Sequence, residues 1–256
     1  MVKRANNKKR SLHSMVIRHL RELHRKLGIF SALVLIFLAV SGIALNHTEA
    51  FKLGHINITN QWLLQHYGVK DPIDVEYFSE KEFFVADGLV FHNHDLLLEN
   101  QDPVIAIAKY ADFHVIFSKN KLTLLDETYA LVDQITSDDG LPSSIKAISI
   151  DNDKVILNTS QGYFQNEEHL FTWQSIEAVT EPLWIEPTNV NIDDINNAKT
   201  IYKSQFLSLE RVILDAHSGR IFGDYMVLFM DLIAIAIIIL SLSGLYIWVR
   251  YARAKR

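Results

Sequence analysis

Two stretches free of Asp, Glu, Lys and Arg set the terms for any fold of this chain. Between Lys26 and Glu49 lie 22 such residues, and between Asp231 and Arg250 lie 18. At about 1.5 Å rise per residue the first makes a helix of about 33 Å, enough to cross a hydrocarbon core. The second, "LIAIAIIILSLSGLYIWV", is extended backwards past Asp231 by the apolar residues of "YMVLFM". The spacing predicts transmembrane helices over 27–48 and 225–249, a basic tail over 1–26, a loop domain over 49–224 and a basic tail over 250–256.

Charge sets the expected orientation. Residues 1–27 hold nine Lys or Arg against the single acid Glu22, and the C-terminal tail adds Arg250, Arg253, Lys255 and Arg256. The loop carries 28 acidic and 12 basic residues, a net of −16. By the positive-inside rule both termini are cytoplasmic and the loop is external, which suits a bacterial inner membrane and a periplasmic domain. Topology and anionic lipid account for the basic tails, so no nucleic-acid partner is expected. The first apolar run is longer than a signal-peptide core and no A-x-A site comes after it, so it reads as an uncleaved anchor. The chain has no cysteine, which excludes disulfides, thiolate metal sites and a cysteine nucleophile. It also lacks G-x-S-x-G, a phosphate-cradling glycine loop and H-E-x-x-H.

The loop domain reads as mainly β, giving a membrane protein of the α+β class. "NITNQWLLQHYGV" predicts a short helix closing at Gly68. Beyond Pro72, "FFVADGLVFHNHDLLLE", "FHVIFSKNKLTLLDE" and "KVILNTSQGYFQNEEHLF" each predict a strand, a tight turn and a returning strand. A repeat with an offset of 40 residues superposes Val115-Ile116-Phe117 on Val155-Ile156-Leu157, a period that suits a four-stranded propeller blade. "DGLPSSI" also resembles a turn of some propeller repeats. The region holds about three such units, fewer than a closed propeller needs. A β-meander or incomplete propeller-like sheet is therefore expected. "RVILD", "AHSG" and "RIFG" predict a final hairpin leading into the second span.

The candidate site residues are histidines. His24 and His47 bracket the first span and lie about 34 Å apart along a helix, so they cannot share one iron. His47 has His217 or His55 as a partner at the outer side. His24 has only His13, His19 or its own mate in a homodimer, for which Gly28 and Ala32 form a small-residue packing face. The plainer reading is that these imidazoles are interfacial, with His217 an ordinary turn residue. His92 and His94 in "FHNHD" make a metal pair if they share one strand face, though a solvated turn fits as well. Gly42 and Gly244 fall inside the spans and favour close helix contact. Asp231 is an intramembrane carboxylate or a head-group residue.

"LHRKLGIFSALVLIFLAVSGIALNH" resembles the signature helix of the PepSY-associated transmembrane-helix family, through Leu-His-Arg, the glycine four residues after the histidine and the Ser-Gly pair near the outer end. "VILDAHSGRIFG" and "LSLSGLYIW" are similar to the segments that precede and close its later helices. The resemblance implies a membrane protein linked to iron uptake or ferric-siderophore reduction, some relatives carrying electrons through histidine-ligated b haem. This chain departs from them in having two helices where four are common, and "MDLIAIA" where a later Leu-His would stand. The favoured expectation is a non-catalytic accessory or interaction component of an iron-acquisition or redox system, with a periplasmic or membrane protein partner. The alternatives are a b-type-haem electron-transfer protein, with His24, His47 and His217 as ligands in a homodimer, and a periplasmic ligand sensor.

Overall fold

The computed structural model describes residues 2–151, 154–177 and 182–254. Its helices are α1 (Val2–Asn46), α2 (Thr48–Phe51), α3 (Gln61–His66), α4 (Ile192–Ser204), α5 (Leu209–Ser218) and α6 (Asp224–Ala254). The chain divides into two units, one of residues 1–58 with 207–256 and one of residues 59–206.

In the first unit α1 and α6 contain apolar spans, His24–Asn46 and Asp224–Tyr246. The basic tail continues into the first span as one helix, so α1 runs unbroken from Val2. The less exposed positions of α1 include His24, Leu27, Ser31, Val34, Leu38, Ser41 and Leu45. Their alternation of three and four residues marks one packed stripe. On α6 the matching stripe is Met226, Met230, Ile233, Ile237, Leu240 and Gly244. The outward faces are bare apolar surface, including Ile29, Leu33, Ile36, Val40, Ile235, Ile238 and Leu242. Surface of that extent suits hydrocarbon.

The hairpin expected over residues 211–223 does not form. Leu209–Ser218 is helix α5, followed by a 3-10 turn at Arg220–Phe222. The run Val212-Ile213-Leu214 suggested a strand through its branched side chains. Two caps override that preference: the Ser208 hydroxyl accepts from Arg211 N–H, and Gly219, at φ +80°, closes the C-terminus. Leu209, Val212, Ile213 and Ala216 then fall at i, i+3, i+4 and i+7. Main-chain bonds tie the segment ahead of α5 to the chain beyond α2, from Ile58 N–H to Leu207 O at 2.9 Å and from Leu209 N–H to Ile56 O at 2.8 Å.

The second unit is built of three four-stranded antiparallel meanders. The first holds β1 (Val75–Phe78), β2 (Phe83–Ala86), β3 (Leu89–His92) and β4 (Asp95–Glu99). The next holds β5 (Val104–Tyr110), β6 (Phe113–Ser118), β7 (Lys121–Leu125) and β8 (Leu131–Thr136). The last holds β9 (Ile145–Asp151), β10 (Lys154–Thr159), β11 (Gly162–Asn166) and β12 (Trp173–Ile176). The 40-residue repeat is real at the level of structure: Val115–Phe117 and Val155–Leu157 lie in β6 and β10, the second strands of successive sheets. The first strands pack in series, β1 on β5 and β5 on β9, as blades of an incomplete propeller do.

Apolar cores lie between these sheets. Phe78, Phe83 and Val90 meet Ile107, Ile116 and Leu125 between the first and second. Val115, Phe117 and Leu122 meet Ile148, Val155 and Leu157 between the second and third. Each such side chain contributes about 1.5–3 kcal/mol by leaving water. The other face of the first sheet is covered by α4, whose Ala198 and Ile201 pack on Tyr77, Phe84, Ala86 and Phe91. The sequence signals this helix through the Asn191/Asp194 capping box. Ion pairs Lys81–Asp194 at 2.6 Å and Lys203–Asp71 at 2.8 Å fix its ends. The hydrogen bond from Lys203 holds the Asp71 carboxyl below its ordinary range. Such partly exposed pairs contribute about 0–1 kcal/mol, so burial dominates. Extended chain after the third sheet returns to the first, bonding Ile185 N–H to Ile148 O and Thr188 N–H to Tyr77 O.

Gly88 joins β2 to β3 at φ +82°, and a Cβ there would stand 2.7 Å from the Asn100 carbonyl oxygen. Replacement by alanine is expected to cost about 1–3 kcal/mol, read as a lowered unfolding midpoint of the detergent-solubilised chain. Gly28→Ala, with nothing within 4 Å of the new methyl, leaves the midpoint unchanged in the same assay.

Candidate functional site: imidazole and serine across the helices

Two histidines of the membrane unit make the same kind of contact near opposite ends of the spans. His24 of α1 lies with Nδ1 3.1 Å from the Ser243 hydroxyl of α6. His217 of α5 lies with Nδ1 2.7 Å from the Ser41 hydroxyl of α1. In both cases the residue after the serine is glycine, and the ring edge rests on it. A Cβ at Gly244 would stand 3.8 Å from His24 Cε1, and one at Gly42 would stand 3.6 Å from His217 Cε1. The two Ser-Gly pairs of "LAVSGIAL" and "LSLSGLYI" are thus seats for imidazoles. A side chain longer than a methyl group would fill the seat.

The serines fix the orientation of the two rings. A hydroxyl has one hydrogen to donate and lone pairs to accept with. Ser41 Oγ donates to Phe37 O at 2.8 Å, and Ser243 Oγ donates to Leu240 O at 2.9 Å. If that hydrogen stays on the carbonyl, the oxygen accepts from Nδ1–H of the ring; if it turns to the ring, Nδ1 accepts, so each contact is compatible with either tautomer. In either tautomer Nε2 has no protein partner among the described residues. A ring held through one nitrogen with the other left open is the usual preparation of a histidine ligand. The two seats on α1, at positions 24 and 41, are about 26 Å apart along the helix, so the imidazoles serve separate sites.

The chain matches the model of the PepSY-associated TM region over residues 2–250. It belongs to that family. No curated protein and no solved structure matches the chain. As a member of this family it is a membrane protein, and its two apolar helices flank the three-sheet domain.

The remaining sequence-selected residues of this PepSY-associated protein lie apart from the two seats. His47 caps α2 without a side-chain hydrogen bond and sets its ring against Phe51, with centroids 6.0 Å apart. His55 ends a 3-10 turn and is exposed. The structure brings His217 to Ser41 rather than to either of them. The side chains of His13 and His19 lie outside the described residues. Gly28 has an open flank and Ala32 is exposed, so neither is used in packing α1 on α6. Asp231 is exposed on α6. The pairing of α5 with α1 was hidden from sequence reading, because it required residue 217 to lie on a helix.

His92 and His94 do not share a strand face. His92 ends β3, while His94 stands in the turn that Asn93, at φ +53°, makes before β4. Among the described residues no group of three His, Asp or Glu is placed to hold a metal ion. The His92 ring stacks instead on Tyr129 at 3.8 Å, in a cluster with Phe83 and His114. Burial, with Lys109 and the neighbouring His92 adding to it, pushes the His114 imidazole below its ordinary value. A groove of about 590 Å³ runs over Asp74, Glu76, Asp87, Glu99 and Asp102. Burial and the nearby Asp74 carboxylate raise the Glu76 carboxyl.

Two measurements probe these environments. Gly42→Ala keeps His217 in place, since 3.6 Å is ordinary contact, whereas Gly42→Leu evicts it. Nitrogen-15 spectra of the detergent-solubilised chain with labelled histidine should keep the His217 ring signals of the parent chain in the first variant and shift them in the second. For His114 the folded state binds its proton less tightly than the unfolded chain. Above about pH 6.5 both states are neutral, and below it the unfolded chain is protonated first. His114 therefore lowers stability as pH falls from about 6.5 through its folded value. His114→Gln should flatten that part of the profile when urea midpoints are compared at successive pH values.

Proposed function

We propose that this is a two-pass inner-membrane protein with cytoplasmic termini that presents its β domain in the periplasm, as an accessory, interaction component of an iron-acquisition or redox system. The observation that carries this reading is the pair of imidazole–serine contacts. They tie α1 to α6 at one end of the spans and α1 to α5 at the other. Helix α5 is the segment that receives the chain back from the β domain, so its contact with Ser41 makes the membrane unit a fixed platform. The domain it presents, residues 59–206, holds 24 acidic and nine basic residues. Its acidic groove suits a cationic face on a protein partner. The bias of Lys and Arg toward both termini supports the orientation.

The free Nε2 atoms favour a second reading, a b-haem electron-transfer protein. Among the described residues each site holds a single imidazole, half the set that bis-imidazole haem takes. In a homodimer His24 of each copy supplies one ligand at the terminal side, and His217, with His47 or its mate, supplies the other end. A haem held there would supply one-electron transfer.

Absorption spectra of the purified chain, expressed with haem precursor supplied and read before and after dithionite, separate the two. A featureless spectrum at good protein yield is the expected result. A sharp b-type band on reduction, lost in His24→Ala or His217→Ala, overturns the accessory reading in favour of the second.

A further inference from the structure

Asp231 stands in the span of α6, seven residues after Asp224, which puts it about 10 Å along the helix axis from that end. Its side chain is exposed, off the stripe that packs on α1. The neighbours at i−3, i+4, i+7 and i+11 are Leu228, Ile235, Ile238 and Leu242, all exposed apolar residues. Among the described residues Asp231 has no ion-pair or hydrogen-bond partner. An aspartate is too short to carry its charge back to the interface as lysine or arginine can. A carboxylate in that position is costly in hydrocarbon and is stabilised by a facing cation.

Among the described residues no Lys or Arg of the chain, Arg220 in the turn before α6 included, forms an ion pair with Asp231. No Lys or Arg lies between Lys26 and Glu49 or between Asp231 and Arg250. The contacts of His24 with Ser243 and of Phe30 with Phe229, ring centroids 6.4 Å apart, set α1 antiparallel to α6 and place Asp231 against residues 30–36 of α1, the stretch "FSALVLI". A second copy packed α6 to α6 in parallel brings one Asp231 toward another, which like charge opposes. A second copy offering α1 presents no cationic side chain at that depth. Charge complementarity thus selects a different chain.

We infer that the outward face of α6 is the docking surface for a transmembrane helix of another protein, one that carries a single Lys or Arg about 10 Å inside the membrane to meet Asp231. The apolar stripe 228–235–238–242 supplies the packing, and the carboxylate fixes register and partner choice. This inference rests on the membrane span and on the exposure of one residue. It is independent of whether the imidazoles hold haem.

The test reconstitutes the full chain, labelled with a donor fluorophore, in phosphatidylcholine vesicles at neutral pH. The partners are acceptor-labelled leucine–alanine transmembrane peptides with one lysine about 10 Å from an end, or with leucine in its place. The lysine peptide should associate at least tenfold more tightly than the leucine peptide. Asp231→Leu should abolish the difference without changing helix content. The swapped pair, Asp231→Lys with a peptide bearing aspartate at the matching depth, should restore it. Equal transfer to both peptides, or an unchanged preference in Asp231→Leu, overturns the inference. So does loss of self-association in Asp231→Leu, which would make a second copy the occupant.

Discussion

Hydrocarbon offers a polar group nothing to bond with except another polar group, and the membrane unit is organised around that condition. The few polar side chains along the packed stripe of α1 are turned inward: Ser31 and Ser41 are buried, and His24 is half-buried. Ser41 bonds both to a carbonyl of its own helix and to an imidazole of a neighbouring one. That double use draws α5 onto α1, while Ser243 draws α1 onto α6 in the same way. Lipid gives apolar packing little advantage over lipid contact, so these bonds and the glycine seats beside them carry much of the specificity of the helix arrangement.

The β domain solves a different problem. With no cysteine and no closed ring, it must bury the faces of three sheets using only its own short connections and one helix. Cores between successive sheets cover one face of the first sheet, both faces of the second and one face of the third. Helix α4 covers the remaining face of the first sheet, and the extended segment before it returns from the third sheet to the first. The result has the strand order of propeller blades and a helix where a further blade would otherwise be needed.

Within the membrane unit, α5 is the element on which both functional readings turn. The helix is short, its N-terminus lies where the chain leaves the β domain, and its last turn carries His217 to Ser41. Asp215, one turn after Arg211, is buried with one carboxylate oxygen on the Arg211 guanidinium at 2.8 Å and the other without a partner among the described residues. A buried polar atom left unbonded marks this helix as the place where the membrane unit stores unused hydrogen-bonding capacity. In the accessory reading α5 is a mechanical link. In the haem reading the same link holds a ligand.

Much was legible in the residues alone. The absence of charge over 22 and 18 residues fixed the two spans, because hydrocarbon rejects ions whatever the tertiary structure. Turn residues between apolar runs marked the hairpins β6–β7 and β10–β11, and the 40-residue offset marked the repeat, because these patterns are local; over 83–99 one hairpin was expected where the three strands β2, β3 and β4 form, and β1, β5, β8, β9 and β12 were not read individually. The helix α5 was missed because a run of branched residues competed with two caps, and only packing on α1 resolved the competition. Tertiary structure alone decided which serine meets which histidine. His24 lies 219 residues from Ser243, and His217 lies 176 from Ser41. No periodicity reaches over such distances; only the antiparallel return of the second span brings the partners together.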